Sequence, residues 1–208
     1  MCRPRQNSGL DTPQPLRFDG CPAPIGRRLL STAVRLSVAS CAIVAFAANA
    51  ADPGWTGVGA RAGLTDSVMG ENLNQFEVTA TYGLPWDWSL GSGWMLGTRL
   101  DTTIGALHGG GETGAVLSVG PALAFAHPGQ RFAIELGISP TLLSRHEYGD
   151  ADLGGNIQFT SFLGLSYRVS ERLEVNGRIQ HMSNAGISEP NPGLDQIALG
   201  FRYLLDPQ

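Results

Sequence analysis

The sequence predicts an all-β fold, an eight-stranded antiparallel transmembrane β-barrel of the outer membrane. Three observations predict it. Apolar and polar residues alternate with period 2 in eight segments of about ten residues or slightly more, the length of a tilted membrane strand. No run of 18 apolar residues follows residue 51, so that part of the chain holds no transmembrane helix. The polar face of the segments mixes charges of both signs with Gly and Ala, as a narrow, self-paired lumen requires.

Composition sets the outer limits. The 208 residues suffice for one domain. Charged residues are only 15%, well below the usual quarter or so, and glycine is high at 28. There is no lysine; the 14 basic residues are all arginine against 18 acids, net −4. A nucleic-acid-binding surface needs a basic stripe, and this balance argues against one. Cys2, Cys21 and Cys41 are the three cysteines and form no CxxC pair, which excludes a zinc ribbon or a thioredoxin-type site.

Residues 1–50 read as an N-terminal extension and a cleaved signal peptide. Arg27, Arg28 and Arg35 supply a positive region, and Leu36–Ala48 is an apolar stretch of 13 residues, too short to span a bilayer. Ala48-Asn49-Ala50 has the small–x–small form of a cleavage site; Val38–Cys41, a runner-up lipoprotein box, sits midway through the apolar stretch. The barrel domain is then 51–208. Six of the arginines and two of the acids precede residue 51, which leaves eight basic against sixteen acidic residues, net −8. All three cysteines leave with the leader, so disulfides do not stabilise the exported chain.

The segments follow in order. In 54–64, Val58, Ala60, Ala62 and Leu64 share a face. In 74–84, Phe76, Val78, Ala80 and Tyr82 alternate with Glu77, Thr79 and Thr81. In 93–107, Leu96, Leu100 and Ile104 alternate with Gly97, Arg99 and Asp101. In 113–126, Ala115, Leu117, Val119, Leu123 and Phe125 align. In 131–143, Phe132, Ile134, Leu136 and Ile138 oppose Arg131, Ala133, Glu135 and Gly137. In 156–169, Ile157, Leu163, Leu165 and Tyr167 oppose Gln158, Ser166 and Arg168. In 172–183, Leu173, Val175 and Ile179 oppose Glu174, Asn176 and Arg178. In 194–205, Ile197, Leu199, Phe201 and Tyr203 oppose Gln196, Gly200 and Arg202.

Connectors alternate in length. Those at 85–92, 127–130 and 169–171 read as short turns; 65–73, 144–155 and 184–193 are longer, polar and acidic; 108–112 is short and Gly-rich. Short periplasmic turns and longer outside loops give this pattern, with both termini in the periplasm. Trp55, Trp86, Trp88 and Trp94 fall near the expected periplasmic strand ends, as an aromatic girdle does. A soluble lipocalin-type barrel is the rival reading. An aqueous exterior more often carries lysine, which favours the membrane barrel.

One stretch carries a candidate chemistry. His181 and Ser183 stand two apart on one strand and point to one face, which Leu173, Val175 and Ile179 mark as lipid-facing. Asp195 shares parity with Ile197, Leu199, Phe201 and Tyr203 on the next strand. A hairpin centred on residue 188 makes His181 and Asp195 cross-strand neighbours, about 5 Å apart at Cβ. A serine needs an adjacent base to attack an ester, and the base needs an acid to hold its tautomer. Spacing alone leaves the bland alternative, polar residues at a barrel rim, open. His108 and His127 read as solvated turn residues and His146, beside Glu147, as part of an acidic loop. Glu147, Asp150 and Asp152 lack calcium-loop spacing.

At these residues the chain resembles the lipid A 3-O-deacylase (PagL) family of outer-membrane esterases. The resemblance is carried by His181-Met-Ser183-Asn184-Ala-Gly186 and by Pro190-Asn191-Pro-Gly193-Leu-Asp195. Gly83-Leu-Pro-Trp86-Asp-Trp88 and Phe132-Ala-Ile-Glu135-Leu-Gly137 extend it weakly. It implies an eight-stranded barrel with Ser183 as nucleophile, His181 as base and Asp195, in a position where the family also uses Glu, as the acid. Asn184, Gly186 and Asn191 would support the site or its oxyanion hole. The implied substrate is lipid A of lipopolysaccharide, among outer-membrane lipids, at the outer leaflet of a Gram-negative outer membrane. No metal or cofactor is implied, and a homodimer is left open. The alternatives are a phospholipase, an acyltransferase, or a structural or adhesive barrel without catalysis.

Overall fold

The computed structural model describes residues 52–65 and 67–205. The signal-peptide reading lies outside the described residues. Eight long strands form the wall: β1 (Gly54–Thr65), β2 (Asn74–Ser89), β3 (Met95–Gly109), β4 (Glu112–Ala126), β5 (Phe132–Leu143), β8 (Ile157–Arg168), β9 (Leu173–Ser183) and β10 (Leu194–Leu204). A small hairpin, β6 (Glu147–Tyr148) and β7 (Ala151–Asp152), stands apart in the β5–β8 loop. Each wall strand pairs antiparallel with the next wall strand along the chain, and β1 pairs with both β2 and β10, which closes an up-and-down barrel. Closure leaves no unpaired sheet edge, which is what a strand structure in hydrocarbon requires.

The alternation decides which side faces where. Phe76, Val78, Ile104, Leu117, Ile138, Leu163, Ile179, Ile197, Leu199 and Phe201 are all more than half exposed or close to it on the outside. Glu77, Arg99, Glu135, Arg178 and Arg202 are buried inside. These charges neutralise one another. Glu77 accepts from Arg61 at 2.7 Å and sits 3.5 Å from Arg178; Glu135 lies between Arg99 at 2.8 Å and Arg202 at 3.3 Å. Small residues make the space: a Cβ on Gly164 would lie 2.9 Å from Arg178 Cβ. Buried charge survives here because each carboxylate meets guanidinium groups.

The lumen changes character at the long-loop end. Leu73, Leu107, Val116, Leu143, Met182 and Leu194, on strands or their ends, pack with Val68, Tyr148, Ala151 and Leu153 of the loops into an apolar plug. The alternation did not anticipate it, because parity assigns several of these positions to the polar face. A loop cap with few polar partners needs a dry seat, and these side chains supply one.

Two further differences follow from local chemistry. The 85–92 connector is largely strand: β2 runs on to Ser89, with a register shift between Gly83 and Asp87, and the turn is confined to Leu90–Trp94. An irregularity of this kind accommodates Pro85 without ending the strand. His108 lies in β3 at the rim, with Nδ1 2.8 Å from Thr113 Oγ1, rather than in a turn. The β3–β4 turn is Gly110-Gly111, both at positive φ, as a two-residue hairpin turn demands. At the opposite end of the barrel, Trp94 stacks on Phe125 with centroids 4.5 Å apart.

Candidate active site

The site stands on the outside of the wall where β9 and β10 rise to their connecting loop. Hydrophobic alternation fixes both strands, since Ile179 and Ile197 face out while Gln180 and Gln196 face in and bond each other at 2.6 Å. The resulting register pairs Asp195 with His181. Asp195 Oδ1 lies 2.7 Å from His181 Nδ1. Both side chains are open, with relative exposures of 87% for Asp195 and 50% for His181. With Nδ1 on the carboxylate, the imidazole presents Nε2 as its free nitrogen.

Ser183 follows on the same face of β9, half-buried, opposite Phe159 of β8. Among the described residues its hydroxyl has no hydrogen-bond partner. A serine, a histidine and a carboxylate are therefore gathered at one strand end. The acid already orients the histidine. The hydroxyl is left uncommitted.

Asn184, Gly186 and Asn191 shape the loop beside them. Asn184 is fully buried. Its Nδ2 donates to the carbonyls of Gly154 at 3.0 Å and Ser188 at 2.8 Å, and lies 3.1 Å from Pro190 O. Its Oδ1 accepts from Gly186 N–H at 2.8 Å, and its own N–H donates to Asn191 Oδ1 at 3.2 Å. Ala185 and Gly186 both adopt positive φ, and Ile187 N–H closes the turn onto Asn184 O at 3.1 Å. The buried Asn184 thus holds three loop carbonyls, and the side chain of the exposed Asn191 holds its backbone.

Sequence reasoning missed the part played by the neighbouring loop. Gly154 O accepts from both Asn184 Nδ2 and Ser188 Oγ, so the 144–155 loop braces the 184–193 loop. Gly154 N–H in turn donates to Asp152 Oδ1 at 2.8 Å, and His146 Nδ1 lies 2.8 Å from the same oxygen. The Gly154 N–H bond, then His146, hold the Asp152 carboxyl below its ordinary value. The signal available in the sequence was the Gly154-Gly155 pair. A Cβ at 154 would lie 1.6 Å from Pro190 O, so only glycine fits between the loops.

Below the polar residues, an open groove of about 650 Å³ crosses β8, β9, β10 and β1. His181 and Asp195 border it; Leu64, Leu163, Ile179 and Ile197 give it an apolar floor. An extended hydrocarbon chain lying there would meet aliphatic side chains and reach the imidazole at its upper end.

The family model described as lipid A 3-O-deacylase (PagL) matches residues 74–204. Lipid A deacylase PagL of Bordetella bronchiseptica is 36% identical over 135 residues, which cover 61% of this chain and 74% of that protein. Lipid A deacylase PagL of Pseudomonas aeruginosa is 30% identical over 143 residues, covering 62% and 79%. Among solved structures, the crystal structure of the outer membrane enzyme PagL shares the fold, with a TM-score of 0.62 at 23% identity over 71% of this chain and 98% of that one. The chain is an outer-membrane hydrolase and belongs to the lipid A 3-O-deacylase (PagL) family.

Proposed function

We propose that the chain hydrolyses the ester of the 3-O-linked 3-hydroxyacyl chain of lipid A in lipopolysaccharide, at the outer leaflet, using Ser183, His181 and Asp195. The observation that carries this reading is the 2.7 Å contact between Asp195 Oδ1 and His181 Nδ1 on the outer face, two residues from an uncommitted serine. The apolar groove beneath supports a lipid substrate, because it lies on the wall and not in the lumen. Lipid A reaches such a site laterally, without leaving the bilayer.

The chemistry follows from the atoms. Ser183 Oγ attacks the ester carbonyl while His181 Nε2 takes its proton. Asp195 keeps Nδ1 protonated and stabilises the imidazolium as it forms. The tetrahedral intermediate collapses, the sugar oxygen leaves with the proton from Nε2, and Ser183 holds the acyl chain as an ester. Water then attacks that ester by the same path in reverse roles, releasing the free hydroxy acid and restoring the serine. Asn184, Gly186 and Asn191 support the site by fixing the loop. The Asn184 N–H, held only by a 3.2 Å bond to the Asn191 side chain, is the donor best able to turn to a developing oxyanion. Such a donor is typically worth on the order of 10²–10³ in rate. No step requires a metal or cofactor.

The test is lipid A mass spectrometry from cells expressing the parent or Ser183→Ala. The parent should remove one primary hydroxyacyl chain and leave the amide-linked chains. Ser183→Ala should leave the profile unchanged. Loss of a secondary, non-hydroxylated chain would refute the positional assignment, and a new acylated lipid would indicate transfer instead of hydrolysis.

A further inference from the structure

Gly193 ends the β9–β10 loop. The last pair of the ladder joins Leu194 to Met182. One step further along the same register sets Gly193 opposite Ser183 and diagonal to His181. Strand parity sends position 193 to the outer face, with Asp195. No side chain fits there. A Cβ on Gly193 would lie 2.8 Å from His181 Cε1, 3.6 Å from Nε2 and 3.7 Å from Nδ1. The ring edge that carries both nitrogens thus lies over the space that a side chain at 193 would fill.

We propose that Gly193 is a positioning residue for the deacylation. Its missing side chain lets the His181 ring lean along the wall toward Ser183 while Nδ1 stays on Asp195. A methyl group at 193 must displace the ring. Moving it one way lengthens the 2.7 Å bond to Asp195; moving it the other way turns Nε2 away from the Ser183 side of the strand. The inference rests on the reading of His181 as the base. It adds that the base is placed by an absence on the partner strand as well as by its acid.

A glycine at this position also serves its backbone, since φ is +73°. The two roles separate cleanly. Asparagine tolerates left-handed φ better than alanine yet carries a Cβ. Gly111 offers the control: φ is +78° in the β3–β4 turn, and a Cβ there meets nothing within 4 Å. We therefore compare Gly193→Ala, Gly193→Asn and Gly111→Asn with the parent, as full-length barrels in detergent. The readouts are kcat and KM on purified lipopolysaccharide and the ¹⁵N shifts of the His181 ring.

Both substitutions at 193 should lower kcat by about 10²-fold, the usual cost of misplacing a reacting group by about 1 Å. KM should stay within about twofold, because the apolar floor of the groove, Leu64, Leu163, Ile179 and Ile197, is untouched. The His181 ring signals should move in both variants and stay in place in Gly111→Asn, whose kcat should match the parent. The asparagine variant also guards against a folding failure caused by alanine at positive φ. Parental kcat in either folded 193 variant, with His181→Ala inactive, would overturn the proposal and leave the base assignment standing. A drop in kcat with unmoved His181 signals would overturn it too, by reducing Gly193 to a backbone hinge. If His181→Ala itself stays active, the reading of the site fails, and this inference with it.

Discussion

Asp195→Asn isolates the electrostatic part of the proposed site. The substitution keeps the shape and removes the charge that faces His181 Nδ1 at 2.7 Å. Asn can also offer its NH₂ to Nδ1, which favours the imidazole tautomer that cannot accept the serine proton. The expected magnitude depends on how wet the pair is. A unit charge pair about 4 Å apart is worth about 1 kcal/mol in bulk water and about 4 kcal/mol at an effective dielectric near 20. Those limits correspond to roughly 5-fold and roughly 10³-fold in rate. Asp195 and His181 are open at the barrel surface, so neither is fully desolvated by protein. In the proposed reaction the bound acyl chain covers them during turnover. We expect a fall in kcat of about 10²–10³, less than the roughly 10⁴ seen for the same change in a buried triad. KM should change little. Asp195→Glu should keep substantial activity, because a carboxylate one methylene longer still reaches the ring. The assay is the initial deacylation rate on lipopolysaccharide in detergent, with folding checked by heat-modifiable gel mobility. An Asp195→Asn enzyme within threefold of the parent, beside a dead Ser183→Ala, would assign the acid to another residue.

Three more expectations follow. Glu135→Gln removes the carboxylate that Arg99 and Arg202 share and leaves them only Asp101 and Glu174, each at 2.9 Å; an uncompensated buried charge costs about 3–5 kcal/mol, and with these partners kept the loss should be smaller but still lower the urea midpoint for unfolding. On intact cells, an impermeant thiol reagent should label Ser188→Cys and spare Ser89→Cys; the reverse would invert the barrel. The depressed Asp152 carboxyl contributes stability that is present above the ordinary carboxylate range and lost as pH falls through its lowered value. Exchange protection of the Gly154 amide should therefore persist through mildly acidic pH and fade only below the ordinary Asp range; loss already near pH 6 would mean that Asp152 does not hold it.

The wall was legible because period 2 is a strong signal when one side is hydrocarbon and the other is a charged lumen. Strand ends came within a few residues at most boundaries. The His181–Asp195 pairing was legible for a related reason: two strands of known parity and a loop centred near residue 188 leave one register. Pro85 and Trp86 misled the reading of β2, because a register shift that rescues a strand from proline depends on its neighbour β3. The apolar plug was illegible, since Leu107 and Val116 look like parity errors until the loops fold onto them. Asn184 stood out by resemblance alone. Its partners are backbone carbonyls of Gly154, Ser188 and Pro190, and side-chain type says nothing about where a carbonyl points.

The central claim is hydrolysis of one lipid A ester through Ser183. Its most direct measurement is the reaction of the purified barrel with lipopolysaccharide in H₂¹⁸O, with both products weighed. The account predicts one ¹⁸O in the carboxyl of the released 3-hydroxy fatty acid and a lipid A lighter by that chain, with neither product formed by Ser183→Ala. Release of acid by Ser183→Ala at the parental rate, or an acyl chain found on another lipid with no free acid, would contradict it.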